Sequence, residues 1–374
     1  MKPDVFSVVA QYRYPFIRPR LPDLAEVAEE FARSRAANFY SNFGPCSIAL
    51  EEDIEAAYLT DTVAVTCANC TAGLSGALIA LKVDGPVLIP AFTFPATLSA
   101  VRGAGLEPVV GDVDPTTGVL DAAAAEAAIA ARGCRAVIAV RPYGIWGDMS
   151  ALAEVCRRAG VPLIIDNAAG LGVSREVVAR YAVPGAIELF SLHATKPFGV
   201  GEGGIAIGPA AMENELRSAF NFGLWTLGSL KPGQGINGKM DELTAAMARV
   251  VLRYLPRRLA QRQAMAARYN LHAAQVGIET FCAVGQEEIS PWQCFALRLP
   301  EGVKVEALIA ASAASGLQVR RYYFPPLAYE GEAPPEQARR LSSRAVCLPI
   351  YDGAEAAQAD EIWSVFTAAL ATAS

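Results

Sequence analysis

Between residues 60 and 210 the chain repeats one pattern: a short, almost unbroken apolar run, then a stretch whose apolar positions recur every three or four residues. The runs are 62–67 (TVAVTC), 85–90 (GPVLIP), 107–113 (EPVVGDV), 135–140 (RAVIAV), 161–166 (VPLIID), 187–192 (IELFSL) and 203–208 (GGIAIG). They are rich in Val and Ile, bounded by Gly or Pro, and mostly lack the alternation of a strand with one wet face. They therefore predict strands buried on both sides. The stretches 72–82 and 148–160 predict helices, the second closing on Gly160. Strand and helix in turn predict an α/β layer built on a mostly parallel sheet. Past residue 241 the pattern changes. Residues 242–275 predict one long helix with a kink or break at Pro256. An apolar run at 292–300, a helical segment near 304–315, an aromatic stretch at 317–324 and a last helix near 355–370 follow. The expected organisation is a large α/β domain over 1–240, with a helical arm in 1–40, and a smaller α+β domain over 241–374 entered by the long helix. The arm, through residues 21–35, is expected to pack against that second part.

The composition supports a folded enzyme or binding protein. Of 374 residues 53% are hydrophobic and 19% charged, enough to fill a core and too few charges for disorder. The net charge of -6 argues against a nucleic-acid surface, while allowing one local anion pocket. Only two histidines occur, His193 and His272, which excludes a His-rich metal centre. The start lacks the apolar core of a signal peptide, and no apolar run reaches membrane-spanning length. A cytoplasmic protein is expected, and its eight cysteines read as reduced thiols. Cys67 and Cys70 form a C-x-x-C, but one pair cannot fill a structural zinc site.

In an open parallel sheet, ligands bind outside the carboxyl ends of the strands, so the residues following each run are the candidates for chemistry. Asp166 ends the fifth run and is either a helix cap or the partner of a buried cation, such as the protonated ring nitrogen of a pyridine cofactor. Lys196 lies between the sixth run and a glycine-rich turn, where desolvation would lower its ammonium pKa and prepare the amine to react with a carbonyl. Ser191 offers a hydroxyl at the same edge. After the first run, Asn69-Cys70-Thr71-Ala72 opens a helix and is either an ordinary cap or a phosphate cradle. Phe92 and Phe94 are core or a stacking surface for a flat ring. Arg141, Tyr143 and Trp146 bring a cation and two aromatics to the same edge. Together these are the parts that pyridoxal 5'-phosphate requires. No G-x-G-x-x-G follows the first run, which argues against a dinucleotide fold.

On these residues the sequence resembles the DegT/DnrJ/EryC1/StrS aminotransferases, pyridoxal-phosphate enzymes of fold type I that act on keto sugars. FSLHATKPFGVGEGG (190–204) is similar to the family's lysine motif. PAFTFPAT (90–97), RPYGIWGDM (141–149), GINGKMDELTAA (235–246) and RRYYFPPL (320–327) match further blocks in the right order. The most similar members aminate dTDP-linked 3-keto or 4-keto deoxysugars. The resemblance implies a seven-stranded large domain, Lys196 as the covalent attachment point, Asp166 on the pyridinium nitrogen and Phe94 stacked on the ring. It implies that Thr71, the amide of Ala72, Cys70 beside them and Ser191 hold the phosphate. In relatives the GINGKM block serves the neighbouring subunit, so Asn237 and Lys239 are expected in a partner's site and the active unit is a homodimer. For the substrate, Tyr143 is a candidate and His193 is one or else packs in the core; Arg320, Arg321 and Lys231 either contact an anion or are solvated surface charges, and Tyr322, Tyr323 and Phe324 either line the pocket or fill the core.

Three departures stand out. Ala169 replaces a Gln or His that contacts the cofactor oxygen, Arg141 replaces a His, and Lys239 replaces an Arg. The last two point to an unusual substrate or donor. The expected activity is transfer of an amino group from an amino acid, L-glutamate in relatives, to a nucleotide-linked keto sugar. The alternatives are a dehydrase, against which Lys196 speaks, and a non-catalytic regulatory member, which Ala169 would suit.

Overall fold

A computed structural model describes residues 12–224, 234–329 and 331–373. All seven apolar runs are strands of one sheet: β1 (Thr62–Cys67), β2 (Val87–Pro90), β3 (Pro108–Gly111), β4 (Ala136–Val140), β5 (Leu163–Asp166), β6 (Ile187–Ser191) and β7 (Gly204–Pro209). Their order across the sheet is β1-β7-β6-β5-β4-β2-β3. All neighbours are parallel except β7, which runs antiparallel to both β1 and β6. The register Val140↔Asp166 and Asp166↔Leu189 sets the ends of β4, β5 and β6 side by side.

The missing alternation in these strands has a direct structural cause. Ile138 and Ile164 face one apolar cluster, with Leu74, Leu78 and Phe220 from the helices Cys70–Ala80 and Glu213–Phe220. Their neighbours Val137, Ala139, Leu163 and Ile165 face another, with Leu152 and Val155 from the helix Ser150–Ala159. Both faces are covered, so apolar residues are required at successive positions.

The C-terminal part forms a three-stranded antiparallel sheet of order β10-β9-β8, with β8 Glu279–Thr280, β9 Cys294–Arg298 and β10 Ala345–Pro349. The helix Glu242–Val276 runs 35 residues without interruption. Pro256 therefore neither ends nor splits it. One lost backbone bond is outweighed by packing along the helix's length against the helices Leu24–Ala37, Pro45–Ala56 and Ala357–Ala373. The expected docking of the N-terminal arm is seen in these contacts: Arg249 bonds Glu30 at 2.6 Å, and Glu26 accepts from Tyr254. The stretch 317–324 makes only isolated bridges, at Leu317 and Arg320.

One carboxylate ties this junction together. Gly44 precedes the helix Pro45–Ala56 and offers no side-chain cap. Glu242 supplies the cap from the start of the long helix. Fully buried, it accepts from the amides of Cys46 (2.6 Å) and Ser47 (3.0 Å) and from the hydroxyls of Ser34 and Ser47 (both 2.6 Å). A Cβ on Gly44 would lie 2.7 Å from the Glu242 carboxyl carbon, so only glycine admits it. Four donors and the positive end of a helix stabilise the buried charge. Replacing Glu242 by Ala should leave these donors unpaired and lower unfolding stability by at least about 2 kcal/mol. Denaturant titration checks this; a loss below about 0.5 kcal/mol, the ordinary scatter of a surface change, would contradict it.

Candidate active site

The carboxyl ends of β1, β2, β4, β5 and β6 open onto a cavity of about 760 Å³, closed from the C-terminal side by Gln293, Arg320, Tyr322 and Tyr323. Its floor is set by the helix Cys70–Ala80. The Asn69 side chain caps that helix by accepting from the Ala72 amide at 2.9 Å, which leaves Cys70 and Thr71 on the cavity wall. Gly204 of β7 passes so close that a Cβ there would lie 2.8 Å from the Cys70 nitrogen. Ser191 lies on the same wall. Hydroxyls beside a helix N-terminus are what a phosphate needs.

Asp166 is the last residue of β5 and is buried. Its Oδ2 accepts from Thr97 Oγ1 at 2.8 Å and its Oδ1 from the Ala168 amide at 3.2 Å. Burial pushes its carboxyl pKa up; Thr97, the Lys196 charge and the Ala168 amide pull it down. Lys196 follows β6 in a loop held by its own amide on His193 O at 2.8 Å. The turn after it returns so closely that a Cβ on Gly199 would lie 2.8 Å from Ala194 O. Lys196 Nζ donates to Gln293 Oε1 at 3.1 Å. Burial lowers its pKa, and the Asp166 carboxylate partly offsets that. Cys70 Sγ lies 4.0 Å from Asp166 Oδ1, and burial and that carboxylate keep it a thiol.

The buried Asp166 and the half-buried Lys196, groups of opposite sign, do not bond each other. Each has its own polar partner and faces the shared cavity. Phe94, 56% exposed, offers its ring at the rim. His193 bonds Thr195 Oγ1 at 2.9 Å and lies 3.7 Å from Glu202 at the mouth. Arg320 points a guanidinium into the cavity wall, bonded to Tyr322 Oη at 3.1 Å and lying over Phe16.

Several expectations change. The Ala72 amide is occupied by Asn69, and Ala72 does not line the cavity, because the helix needs that donor for its cap. Arg321 is turned away: it bonds Glu306 at 2.6 Å and Ser342 O at 3.1 Å and lies 3.4 Å over Phe324. Tyr143 brings its ring to the wall, but its hydroxyl is spent on Tyr322 O. Arg141, expected to present a cation to the substrate, is fully buried and bonds Glu188 at 2.9 Å instead. Asn237 accepts from Lys239 at 2.8 Å away from the chain's own cavity. Lys231 lies outside the described residues. Sequence reasoning gave no role to Thr97 or Gln293. Thr97, three residues after Phe94 in the quoted PAFTFPAT block, had a signal; Gln293 had none, since its partner is 97 residues away.

The residues fit pyridoxal phosphate: a buried acid to hold a ring nitrogen proton, a desolvated amine for an aldehyde, a helix N-terminus with Thr71 and Ser191 for the phosphate, and an exposed aromatic at the rim. The comparisons agree. The model of the DegT/DnrJ/EryC1/StrS aminotransferase family matches residues 23–367. Protein Rv3402c of Mycobacterium tuberculosis (strain H37Rv) is 32% identical over 84% of this chain and 77% of its own. The UDP-2-acetamido-2-deoxy-3-oxo-D-glucuronate aminotransferase of Pseudomonas aeruginosa is 30% identical over 80% of this chain and 84% of its own. The crystal structure of DesI, in the presence of its TDP-sugar product, superposes with a TM-score of 0.85 at 28% identity, covering 98% of this chain and 97% of that one.

The lowered pKa of Lys196 leaves more neutral amine at a given pH than an exposed lysine has. Reductive methylation of the cofactor-free protein, read by peptide mass mapping, should modify Lys196 at pH values where exposed lysines react slowly. Asp166→Asn should extend that reactivity to still lower pH, because the carboxylate favours the ammonium. A Lys196 profile matching that of surface lysines would contradict the assignment.

Proposed function

This chain belongs to the DegT/DnrJ/EryC1/StrS aminotransferase family and is a pyridoxal-phosphate-dependent sugar aminotransferase; from that premise we propose that it moves the amino group of L-glutamate to a nucleotide-linked keto sugar. When bound, pyridoxal phosphate supplies an aldehyde that captures an amino group and a ring that accepts electrons. The protein supplies position and protons.

Thr71, Ser191 and the free amides at the start of the helix Cys70–Ala80 hold the phosphate. Asp166 keeps a proton on the ring nitrogen. Thr97 fixes the direction of that carboxylate through its 2.8 Å bond. Phe94 covers the ring from the rim and excludes water. Lys196 Nζ, released from Gln293, takes a proton from Cα of the donor as a neutral amine and later returns one to the carbon being aminated. Its lowered pKa raises the share of the base form at any given pH. Arg320 faces the anionic part of the substrate, and Tyr322, Tyr323 and Tyr143 form the wall on which a sugar or base can lie.

The observation that carries this reading is the buried carboxylate ending β5 and the half-buried amine in the loop after β6, which line one cavity over a helix N-terminus. The cavity exceeds what a cofactor alone would fill, which suits a nucleotide-linked acceptor, and the P. aeruginosa relative and DesI have nucleotide-sugar names or ligands. Asn237 and Lys239, directed away from their own cavity, suit a homodimer in which they complete the partner's site.

Adding L-glutamate to the cofactor-loaded protein should remove the visible band of the bound cofactor and release one equivalent of 2-oxoglutarate. Nucleotide-linked keto sugars should restore the band. Lys196→Ala should slow the half-reaction by about 10²–10⁴-fold while the protein stays folded. Loss of the band with other amino acids but not with glutamate would overturn the donor; no amino acid acting would overturn transamination.

A further inference from the structure

Beside Asp166, where Arg141 adds to the cavity wall while its side chain stays unexposed, the protein buries a full ion pair. The Arg141 side chain has no exposure and that of Glu188 5%. Arg141 Nε donates to Glu188 Oε1 at 2.9 Å, while its Nη1 and Nη2 donate to Gly147 O at 2.7 Å and Tyr181 O at 2.6 Å. Glu188 also accepts from Tyr58 Oη and from Asn167 Nδ2, the latter at 2.9 Å. The guanidinium lies 4.6 Å over the Trp146 ring.

Charges placed this way contribute little net stability. Desolvating two ions costs several kcal/mol each, and apolar residues of the same shape would hold a core as well. What the pair does have is geometry. Besides Tyr58, Gly147 and Tyr181, the groups around it lead to the turn Asp166–Gly170. The Arg141 amide donates to Asp166 O at 3.0 Å. Glu188 holds the Asn167 side chain, and Leu189, its neighbour on β6, accepts from the Asn167 amide at 2.9 Å. Trp146, under the guanidinium, donates through Nε1 to Gly170 O at 2.9 Å. Gly144, in the same loop at φ +74°, presses against Ala169, where a Cβ would lie 2.4 Å from the Ala169 carbonyl carbon. The loop 141–147 is a cast for the turn 166–170, and the ion pair is what sets the cast.

The turn needs this support from behind. On the cavity side Ala169 offers no hydrogen-bonding side chain, and Asp166 is steadied there by Thr97 and the Ala168 amide. We propose that the buried Arg141–Glu188 pair, acting through Asn167 and Trp146, is a positioning device that fixes the Asp166 carboxylate against the cofactor ring nitrogen. The buried side chains of Arg141 and Glu188 act through the backbone, through Asn167 and through Trp146. The inference rests on the cofactor reading given above.

The test removes the charges and keeps the shape. Arg141→Met/Glu188→Leu should fold, with an unfolding midpoint lowered by the groups it leaves unpaired, Tyr58 Oη, Asn167 Nδ2 and the Gly147 and Tyr181 carbonyls. In the cofactor-free form it should bind pyridoxal phosphate about tenfold more weakly, the scale on which supporting residues tune a site. With ¹⁵N-labelled cofactor, the ring-nitrogen resonance should move toward the unprotonated position. A native dissociation constant together with a native resonance would overturn the proposal. Should the paired variant not fold, Asn167→Ala leaves the pair intact and cuts its link to the turn. The same weakened binding and shifted resonance are then expected of it, and native values of both would again overturn the proposal. Failure of the native protein to bind the cofactor would instead overturn the functional reading.

Discussion

A buried carboxylate and a half-buried ammonium are set past the ends of neighbouring strands without being allowed to neutralise each other. That constraint governs the rest of the site. In a low-dielectric wall each charge is costly unless donors, acceptors or an opposite charge compensate it. Asp166 has Thr97 and one amide, and Lys196 has Gln293. The compensation is partial, as the opposed shifts of the two pKa values record: burial raises the acid and lowers the amine. A ligand that brings a protonated ring nitrogen to one and an aldehyde to the other satisfies both.

The sheet exists to hold that spacing. Parallel β4, β5 and β6 end in register, so the residues following them fall in a row, and β7 returns antiparallel to press its backbone against the start of the helix Cys70–Ala80. Around this frame, buried charge is used for aim as well as for stability. Glu242 joins two helices where no local cap exists, and Arg141 with Glu188 sets the turn that carries Asp166. Stability could have been obtained from apolar packing in the second case. Direction could not.

Much of this was legible in the sequence because burial on both faces leaves a local mark. Each of the seven Val- and Ile-rich runs is a strand, and the site residues followed from asking what ends each run. Asp166, Lys196, Thr71, Ser191 and Phe94 do line one cavity. What could not be read is what depends on partners distant in the chain. Arg141 seemed to be a loop cation facing substrate, but Glu188, 47 residues on, captures it. Arg321 has the same residue type and neighbourhood as Arg320, yet Glu306 turns it outward. Ala72 lost its expected role to Asn69, three residues before it, where a local cap competes with a ligand for the same amide. Pro256 signalled a kink or a break, and tertiary packing carries the helix through it unbroken.

The central claim is that one amine, on Lys196, forms the covalent bond to the cofactor. Borohydride reduction of the cofactor-loaded protein, followed by peptide mass mapping, tests it most directly. The account predicts a single pyridoxyl adduct on the peptide carrying Lys196; an unmodified Lys196 in a cofactor-replete preparation, or an adduct on another lysine, would contradict it.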